Sequence, residues 1–344
     1  MMVDFSVPSI DQASLIDKEI RLSLTESLIS LKSNQLFPSL TPPLLNSWTA
    51  RPVDFGWYYD LLVSLNTDPK PTDAESYSLV IKSLNDSFNS QASTVGSSNQ
   101  KKHSLKITTL GEPWFNSAEV DCIVRWLDIE ADNEMGLMAL NTSELAHASE
   151  NLHRAITVIE ALLPDFMQEM LAITSEIIFA KPSGRQKMTF GGASSFSLWG
   201  ALALNFEAHP DWWQYIPRLI HEYSHNLLFG IARNEPLVFN DPEERYESPL
   251  RQDLRPMDGI YHALFVSARE ALAMRAILSH PDEKKIRFGF EELDAYCKLT
   301  LEDSAQTFND CLLVIKKHGR LTKLGSAVLI DNVNAMKELN LWRN

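Results

Sequence analysis

The chain has 344 residues, of which 44% are hydrophobic and 22% are charged. This length predicts one large domain or two closely packed domains, and the composition argues against a disordered or a membrane-spanning protein. The formal net charge of −14 argues against nucleic acid and anionic membrane surfaces as partners, because both repel an acidic protein.

The N-terminal part of the chain is predicted to be helical. Apolar residues recur at helical spacing over residues 11–35, and three prolines end the pattern over residues 36–43. Residues 85–103 are rich in Ser, Asn, Gln and Lys, which is typical of an exposed loop or linker. We therefore predict an N-terminal helical region over residues 1–100, ending in a polar linker, and a second domain over residues 101–344.

The second domain is predicted to combine helices with a few short strands. Short apolar runs between Gly, Pro and Ser favour buried strands, and longer runs with apolar residues three and four apart favour helices. The predicted strands cover residues 104–110, 176–180 and 196–205, and the predicted helices cover residues 143–173, 212–230 and most of the chain from 259 onward. The fold class is therefore predicted to be α+β and predominantly helical.

The three cysteines, Cys122, Cys297 and Cys311, are widely spaced and form no C-x-x-C pair. They predict buried thiols in a reducing compartment. Residues 1–15 lack a basic start followed by an apolar run, so no secretory signal is expected, and no apolar stretch reaches transmembrane length. We therefore expect a cytoplasmic protein.

The strongest chemical signal is the stretch His221-Glu222-Tyr223-Ser224-His225 in the predicted helix at 212–230. Residues four apart on a helix share one face, so His221 and His225 can present two imidazoles to one metal ion. Glu222 points about 100° further round the helix, near the ion without being a natural ligand. In zinc proteases a glutamate at this position polarises the attacking water, and the same histidine geometry also suits ferrous iron.

A helix that has two histidines by chance is the structural alternative. We favour a mononuclear metal site, because the helix follows an apolar strand and further ligand residues follow within the next hundred positions. The spacing leaves five candidates for a third ligand open: Glu243, Glu244, Glu247, His262 and Glu270. His262 lies in a strongly apolar segment, so it is either a ligand or a core histidine held by a hydrogen bond.

Two arginines, Arg251 and Arg255, lie between the histidine pair and His262. The planar guanidinium group binds a carboxylate through two parallel hydrogen bonds and stays charged, so either arginine can hold an acidic cosubstrate beside the metal. A structural salt bridge to one of the acids nearby is the alternative for each.

In these residues the chain resembles the 2-oxoglutarate-dependent HExxH-type peptide β-hydroxylases, the HExxH-motif peptide-modification proteins of ribosomal peptide natural-product pathways. The resemblance covers residues 190–275, about a quarter of the chain. The five-residue motif also occurs in many metalloproteases, but its combination with the following blocks is far more specific. The blocks are His221-Glu222-Tyr223-Ser224-His225, Ser248-Pro249-Leu250-Arg251, Arg255-Pro256-Met257-Asp258-Gly259 and His262-Ala263-Leu264-Phe265-Val266.

The resemblance implies an Fe(II) oxygenase that hydroxylates the β-carbon of a residue in a ribosomally made precursor peptide. It implies that the two motif histidines and His262 bind iron, that 2-oxoglutarate chelates the metal, and that Arg251 or, in reserve, Arg255 holds the distal carboxylate. A three-histidine site departs from the two-histidine, one-carboxylate triad of many Fe(II) oxygenases, which Glu270 would restore.

The resemblance also implies a zincin-like arrangement, in which the metal helix packs on a small sheet. The strand at 196–205 would then be the edge strand that an extended peptide can join, with an ordinary buried strand as the alternative. Two other functions stay open. One is a zinc metallopeptidase with Glu222 as the general base, and the other is a non-catalytic peptide-binding protein that retains a structural metal.

Overall fold

The computed structural model describes residues 4–43, 48–66, 74–92, 105–128, 135–184, 190–249 and 253–342. The chain divides into two compact units, each built from separate stretches of sequence. We call residues 14–141 and 173–205 the sheet unit, and residues 1–13, 142–172 and 206–344 the helical unit. The predicted boundary near residue 100 falls within residues 93–104, which lie outside the described residues.

Four helices precede most of the sheet in sequence: α1 (Ile10–Ser33), α2 (Pro52–Asn66), α3 (Ala74–Ala92) and α4 (Ser117–Leu127). The first of these confirms the helix predicted at 11–35. The polar linker predicted at 85–103 is wrong over residues 85–92, which form the end of α3. Ile81, Leu84 and Phe88 are buried along one face of this helix, and that face outweighs the polar residues around it.

The described residues form five strands: β1 (Lys106–Thr109), β2 (Leu137–Met138), β3 (Glu176–Pro182), β4 (Gly192–Ala193) and β5 (Ala201–Asn205). The main path of the sheet is β1-β3-β5-β4, and β2 pairs with the end of β3. The central strand β3 is parallel to both β1 and β5, whereas β4 is antiparallel to β5. A small mixed sheet and a mainly helical chain confirm the α+β class.

The strand predicted at 196–205 is shorter than expected and is not an edge strand. Residues 196–198 form a single 3-10 turn, and β5 begins at Ala201. β5 pairs with β3 along its whole length and with β4 at Ala203 and Leu204. All five of its residues are buried. The edge-strand prediction is therefore wrong, because a run of buried apolar residues is typical of a strand inside a sheet.

The helical unit contains most of the remaining helices: α5 (Thr142–Leu162), α6 (Pro164–Ile173), α7 (Tyr215–Ile231), α8 (Met257–Ser279), α9 (Asp282–Lys285), α10 (Phe290–His318) and α11 (Lys323–Glu338). The single helix predicted at 143–173 is divided into α5 and α6. Pro164 lacks the amide proton that would continue α5, and it fits the first turn of α6. α8 packs along both α7 and α10, and these contacts position the site.

The predicted burial of the cysteines and the helix predicted at 212–230 are both confirmed. Cys122, Cys297 and Cys311 are free and buried. The helix predicted at 212–230 is a 3-10 turn at Trp212–Gln214 followed by α7. Among the described helices, none combines the length and the apolar character that crossing a bilayer requires.

Candidate metal centre

His221 and His225 lie one turn apart on α7, with their side chains directed at each other. Their Nε2 atoms are 3.1 Å apart, and the ring planes meet at 70°. Two nitrogens that each lie about 2.0–2.1 Å from one ion are separated by roughly 2.8–3.4 Å at bond angles near 90–110°. The pair therefore has the spacing expected of two ligands of a single ion.

His262 comes from α8 and approaches the other side of His225. Its Nδ1 lies 3.1 Å from Nδ1 of His225, and the two rings stack at 18°. Within the described ranges, no group of three or more His, Cys, Asp or Glu side chains is arranged to hold a metal ion. Binding of one ion by all three histidines requires the ring of His225 or His262 to turn, so the third ligand stays a prediction.

Glu270 contacts His221 at Nδ1, the ring nitrogen that does not face His225. Its Oε1 lies 3.1 Å from Nδ1 of His221, and its Oε2 accepts a hydrogen bond of 2.9 Å from Oγ of Ser304. Burial alone would raise the pKa of Glu270, but its interactions with His221, Arg218 and Ser304 together outweigh burial and lower the pKa. The ionised carboxylate accepts the Nδ1 proton of His221, which leaves the Nε2 lone pair available to a metal.

The three rings form a chain of close nitrogen pairs. The Nε2 atoms of His221 and His225 are 3.1 Å apart, and the Nδ1 atoms of His225 and His262 are also 3.1 Å apart. Burial lowers the pKa of His225, with smaller contributions from His221 and His262, and burial also lowers the pKa of His262. Both imidazoles are therefore held neutral, which is the form that binds metals.

The other acidic candidates do not reach the histidine pair. Glu243, Glu244 and Glu247 are all exposed in the segment before α8. Glu244 pairs with Arg320 at 3.3 Å and accepts a hydrogen bond from Tyr246. Among the five predicted third ligands, the structure brings only His262 and Glu270 to the pair.

A cavity of about 150 Å³ adjoins the histidine pair within the helical unit. Four of the residues that line this cavity were not predicted to be site residues. Three of these four lie on α8, at positions 259, 263 and 266. That spacing of four and three residues defines one helical face and was the available signal. The lining residues are His221, His225, Ser248, Arg255, Gly259, Ala263 and Val266.

Arg255 is one of the residues that line this cavity. Its backbone forms an isolated antiparallel bridge with Tyr246, with both hydrogen bonds 2.8 Å long. Its Nε lies 3.4 Å from Oδ2 of Asp253, which is about half exposed. The helix α8 begins two residues later without a side-chain cap, so its positive dipole end also favours an anion. Arg251 lies outside the described residues.

Tyr223 and Ser224, which lie between the two histidines in the sequence, hold α7 in place through buried hydrogen bonds. The hydroxyl of Tyr223 donates to Glu169 of α6 at 3.0 Å and accepts from Nη2 of Arg269 at 2.8 Å. Nε of Arg269 donates to Oγ of Ser224 at 3.1 Å, and Arg269 also pairs directly with Glu169. All four side chains are buried. Sequence reasoning missed this cluster, although an arginine within the apolar α8 segment was a signal for it.

Glu222 is held by its own helix. Its Oε1 lies 3.3 Å from Nη1 of Arg218, one turn earlier, and the residue is buried. Glu222 is not among the described residues that line the cavity. The structure thus places the predicted catalytic glutamate in an ion pair within α7.

Comparison of the chain with protein-family models found no match, and comparison with curated proteins found none either. The functional conclusion therefore depends on the geometry of the site itself.

Proposed function

We propose that the chain is an Fe(II)- and 2-oxoglutarate-dependent oxygenase with a zincin-like fold. Its reaction is hydroxylation of the β-carbon of a residue in a ribosomally made precursor peptide, in the cytoplasm. The observation that supports this best is that Arg255 lines the same cavity as His221 and His225. A histidine pair alone suits zinc and iron equally, whereas a guanidinium group beside it adds a place for a dicarboxylate.

The residues present fit a metal ion. His221 and His225 have the spacing of two ligands, and His262 is the proposed third. Iron, when bound with 2-oxoglutarate and dioxygen, supplies the oxidising chemistry of the reaction. Glu270 contributes by fixing the ring orientation of His221 and by keeping the proton on Nδ1, the nitrogen that faces away from His225.

The cavity fits a small acidic metabolite. Its volume of about 150 Å³ is well below the 300–1,000 Å³, roughly, of pockets for drug-sized ligands. In the proposed complex Arg255 holds the distal carboxylate, and the oxo acid end lies toward the histidines. Ala263 and Val266 give the cavity an apolar side, and lower polarity near Arg255 strengthens its interaction with a carboxylate.

The position of Glu222 favours an oxygenase over a peptidase. A general base must lie within about 2.6–3.2 Å of the proton that it removes, or reach it through one water. The carboxylate of Glu222 instead contacts Arg218. An oxygenase needs no such base, because its oxidant comes from dioxygen and the oxo acid.

The substitution Glu222→Gln separates these two functions. We expect the variant to keep its metal and to retain hydroxylation within about 10 to 100-fold of the wild type, the usual effect of losing a neighbour of a metal site. A peptidase would instead lose all activity that depends on its base. Metal content, succinate formation and peptide cleavage should be measured on the same preparation, and selective loss of cleavage would contradict the oxygenase.

The substitution Arg255→Ala tests the proposed cosubstrate site. Loss of two parallel, charge-assisted hydrogen bonds is expected to cost about 1.5 to 3 kcal/mol of binding free energy. The required 2-oxoglutarate concentration then rises roughly tenfold to hundredfold. Succinate formation should be measured against 2-oxoglutarate concentration, with mass spectrometry to detect a peptide that gains one oxygen. Arg255→Lys should restore only part of the affinity, since an ammonium group lacks the planar fork.

Arg245→Ala is the matched control, because Arg245 is an exposed arginine in the segment before Arg255. It should leave the 2-oxoglutarate requirement unchanged, and the Arg255 variants should still bind metal. The same titration on Arg251→Ala decides between the two predicted arginines. A wild-type protein that holds iron but consumes no 2-oxoglutarate with any of several peptides would overturn the proposed function.

A further inference from the structure

Gly259 occupies the cavity-lining face of α8 together with Ala263 and Val266. It lies in the first turn of the helix, which begins at Met257. Glycine destabilises a helix relative to alanine, since it has more backbone freedom to lose on folding. A glycine at this position therefore needs a reason.

Neither the backbone nor the packing supplies that reason. Gly259 is not among the glycines with a positive φ angle, so its backbone conformation is open to any residue. A β-carbon placed on it would lie 3.8 Å from Cγ of Pro256 and 3.9 Å from Cδ of Arg255, both ordinary van der Waals contacts. Alanine would thus fit without a clash.

The missing side chain of Gly259 does leave space beside the side chain of Arg255. A methyl group is comparable in size to a water molecule, whose share of liquid volume is about 30 Å³. In a cavity of about 150 Å³ it would take a substantial share of the volume, close to the stem of Arg255. That is where the carbon chain next to a bound distal carboxylate would lie.

We infer that Gly259 sets the length of the dicarboxylate that the cavity admits, an inference that rests on the proposed function. The cavity of the wild-type protein accommodates a five-carbon 2-oxo dicarboxylate between Arg255 and the histidine pair. Adding a methyl group at position 259 shortens the accessible chain length. Removing one at position 263, on the same face one turn later, lengthens it.

The test is direct binding to the full chain loaded with Zn(II), measured by isothermal titration calorimetry. The probes are 2-oxo dicarboxylates of four, five and six carbons: oxaloacetate, 2-oxoglutarate and 2-oxoadipate. We expect Gly259→Ala to raise the Kd for 2-oxoglutarate about tenfold to hundredfold, the range that overpacking produces. The Kd for oxaloacetate should change much less, and Tm should not fall, because alanine is the better helix residue.

Two further variants separate cavity size from helix stability. Ala263→Gly should improve binding of 2-oxoadipate relative to 2-oxoglutarate. Ala276→Gly makes the same change on α8 at a residue that does not line the cavity. Both should lower Tm, but Ala276→Gly should leave all three Kd values unchanged.

The outcomes distinguish this inference from the proposed function. A Gly259→Ala variant that binds 2-oxoglutarate as tightly as the wild type overturns the role of Gly259, whatever the enzyme does in turnover. The expected pattern of Kd values, found in a protein that forms no succinate with any peptide, supports the role of Gly259 and overturns the hydroxylase. A wild type that binds none of the three dicarboxylates overturns both.

Discussion

Replacing His221 or His225 with alanine should abolish both metal binding and hydroxylation. Each substitution removes one of two nitrogens that lie 3.1 Å apart on adjacent turns of α7, so the ion loses one of the two ligands that this helix provides. Metal content per chain should be measured after dialysis, and Tm should confirm that the variants fold. The matched control is His153→Ala, an exposed histidine of α5, which should keep full metal content.

Two further variants rank the remaining candidates for the metal site. His262→Ala should behave as the loss of a ligand, whereas Glu270→Ala should weaken metal affinity about 10 to 100-fold, as expected for a residue that orients a ligand. Glu270→Gln should recover part of this loss, because its carbonyl oxygen can still accept the Nδ1 proton of His221. The opposite ranking would indicate a two-histidine, one-carboxylate site. Full metal content in the variant with alanine at both His221 and His225 would contradict the proposed metal site.

The sequence predicted the parts of the site that depend on local geometry. Residues four apart on a helix share a face whatever surrounds them, so the pairing of His221 with His225 followed from spacing alone. The helix α7 and the strands β1 and β3 were also predicted from local patterns, although their predicted ends differ from the observed ends by a few residues. The break at Pro164 was missed, because apolar residues keep the same spacing on both sides of it.

The parts that depend on distant pairing were not visible in the sequence. β4 has only two residues, too few for a pattern, yet it pairs with one side of β5 and removes the predicted edge. The antiparallel bridge from Tyr246 fixes the backbone of Arg255 in the wall of the cavity, a pairing that no local pattern indicated. The choice between His262 and Glu270 depends on which ring nitrogen each one faces, and side-chain orientation is not a property of spacing.

Replacing Arg269 with methionine should destabilise the helical unit by about 3 to 5 kcal/mol. Arg269 and Glu169 are both fully or almost fully buried, and removal of the arginine leaves a buried carboxylate without its counter-ion. Burial alone would lower the pKa of Arg269, but the charge of Glu169 and the hydrogen bonds with Glu169 and Tyr223 outweigh burial and raise the pKa, so the guanidinium stays protonated. The free energy of unfolding should be measured by urea titration of the metal-free protein. Arg320→Met is the control, because Arg320 forms an exposed pair with Glu244 and should matter little.

The double variant shows whether the ion pair or the packing is responsible. Glu169→Gln keeps an oxygen that can accept the 2.8 Å hydrogen bond from the backbone of Ser9, but it removes the charge. Combined with Arg269→Met it should cost less than the sum of the two single substitutions, because neither partner is then left charged and alone. Metal affinity should fall in each single variant, since Tyr223 and Ser224 lie between His221 and His225 and lose their hydrogen bonds to Arg269. Additive costs with unchanged metal affinity would show that this cluster stabilises the fold without positioning the site.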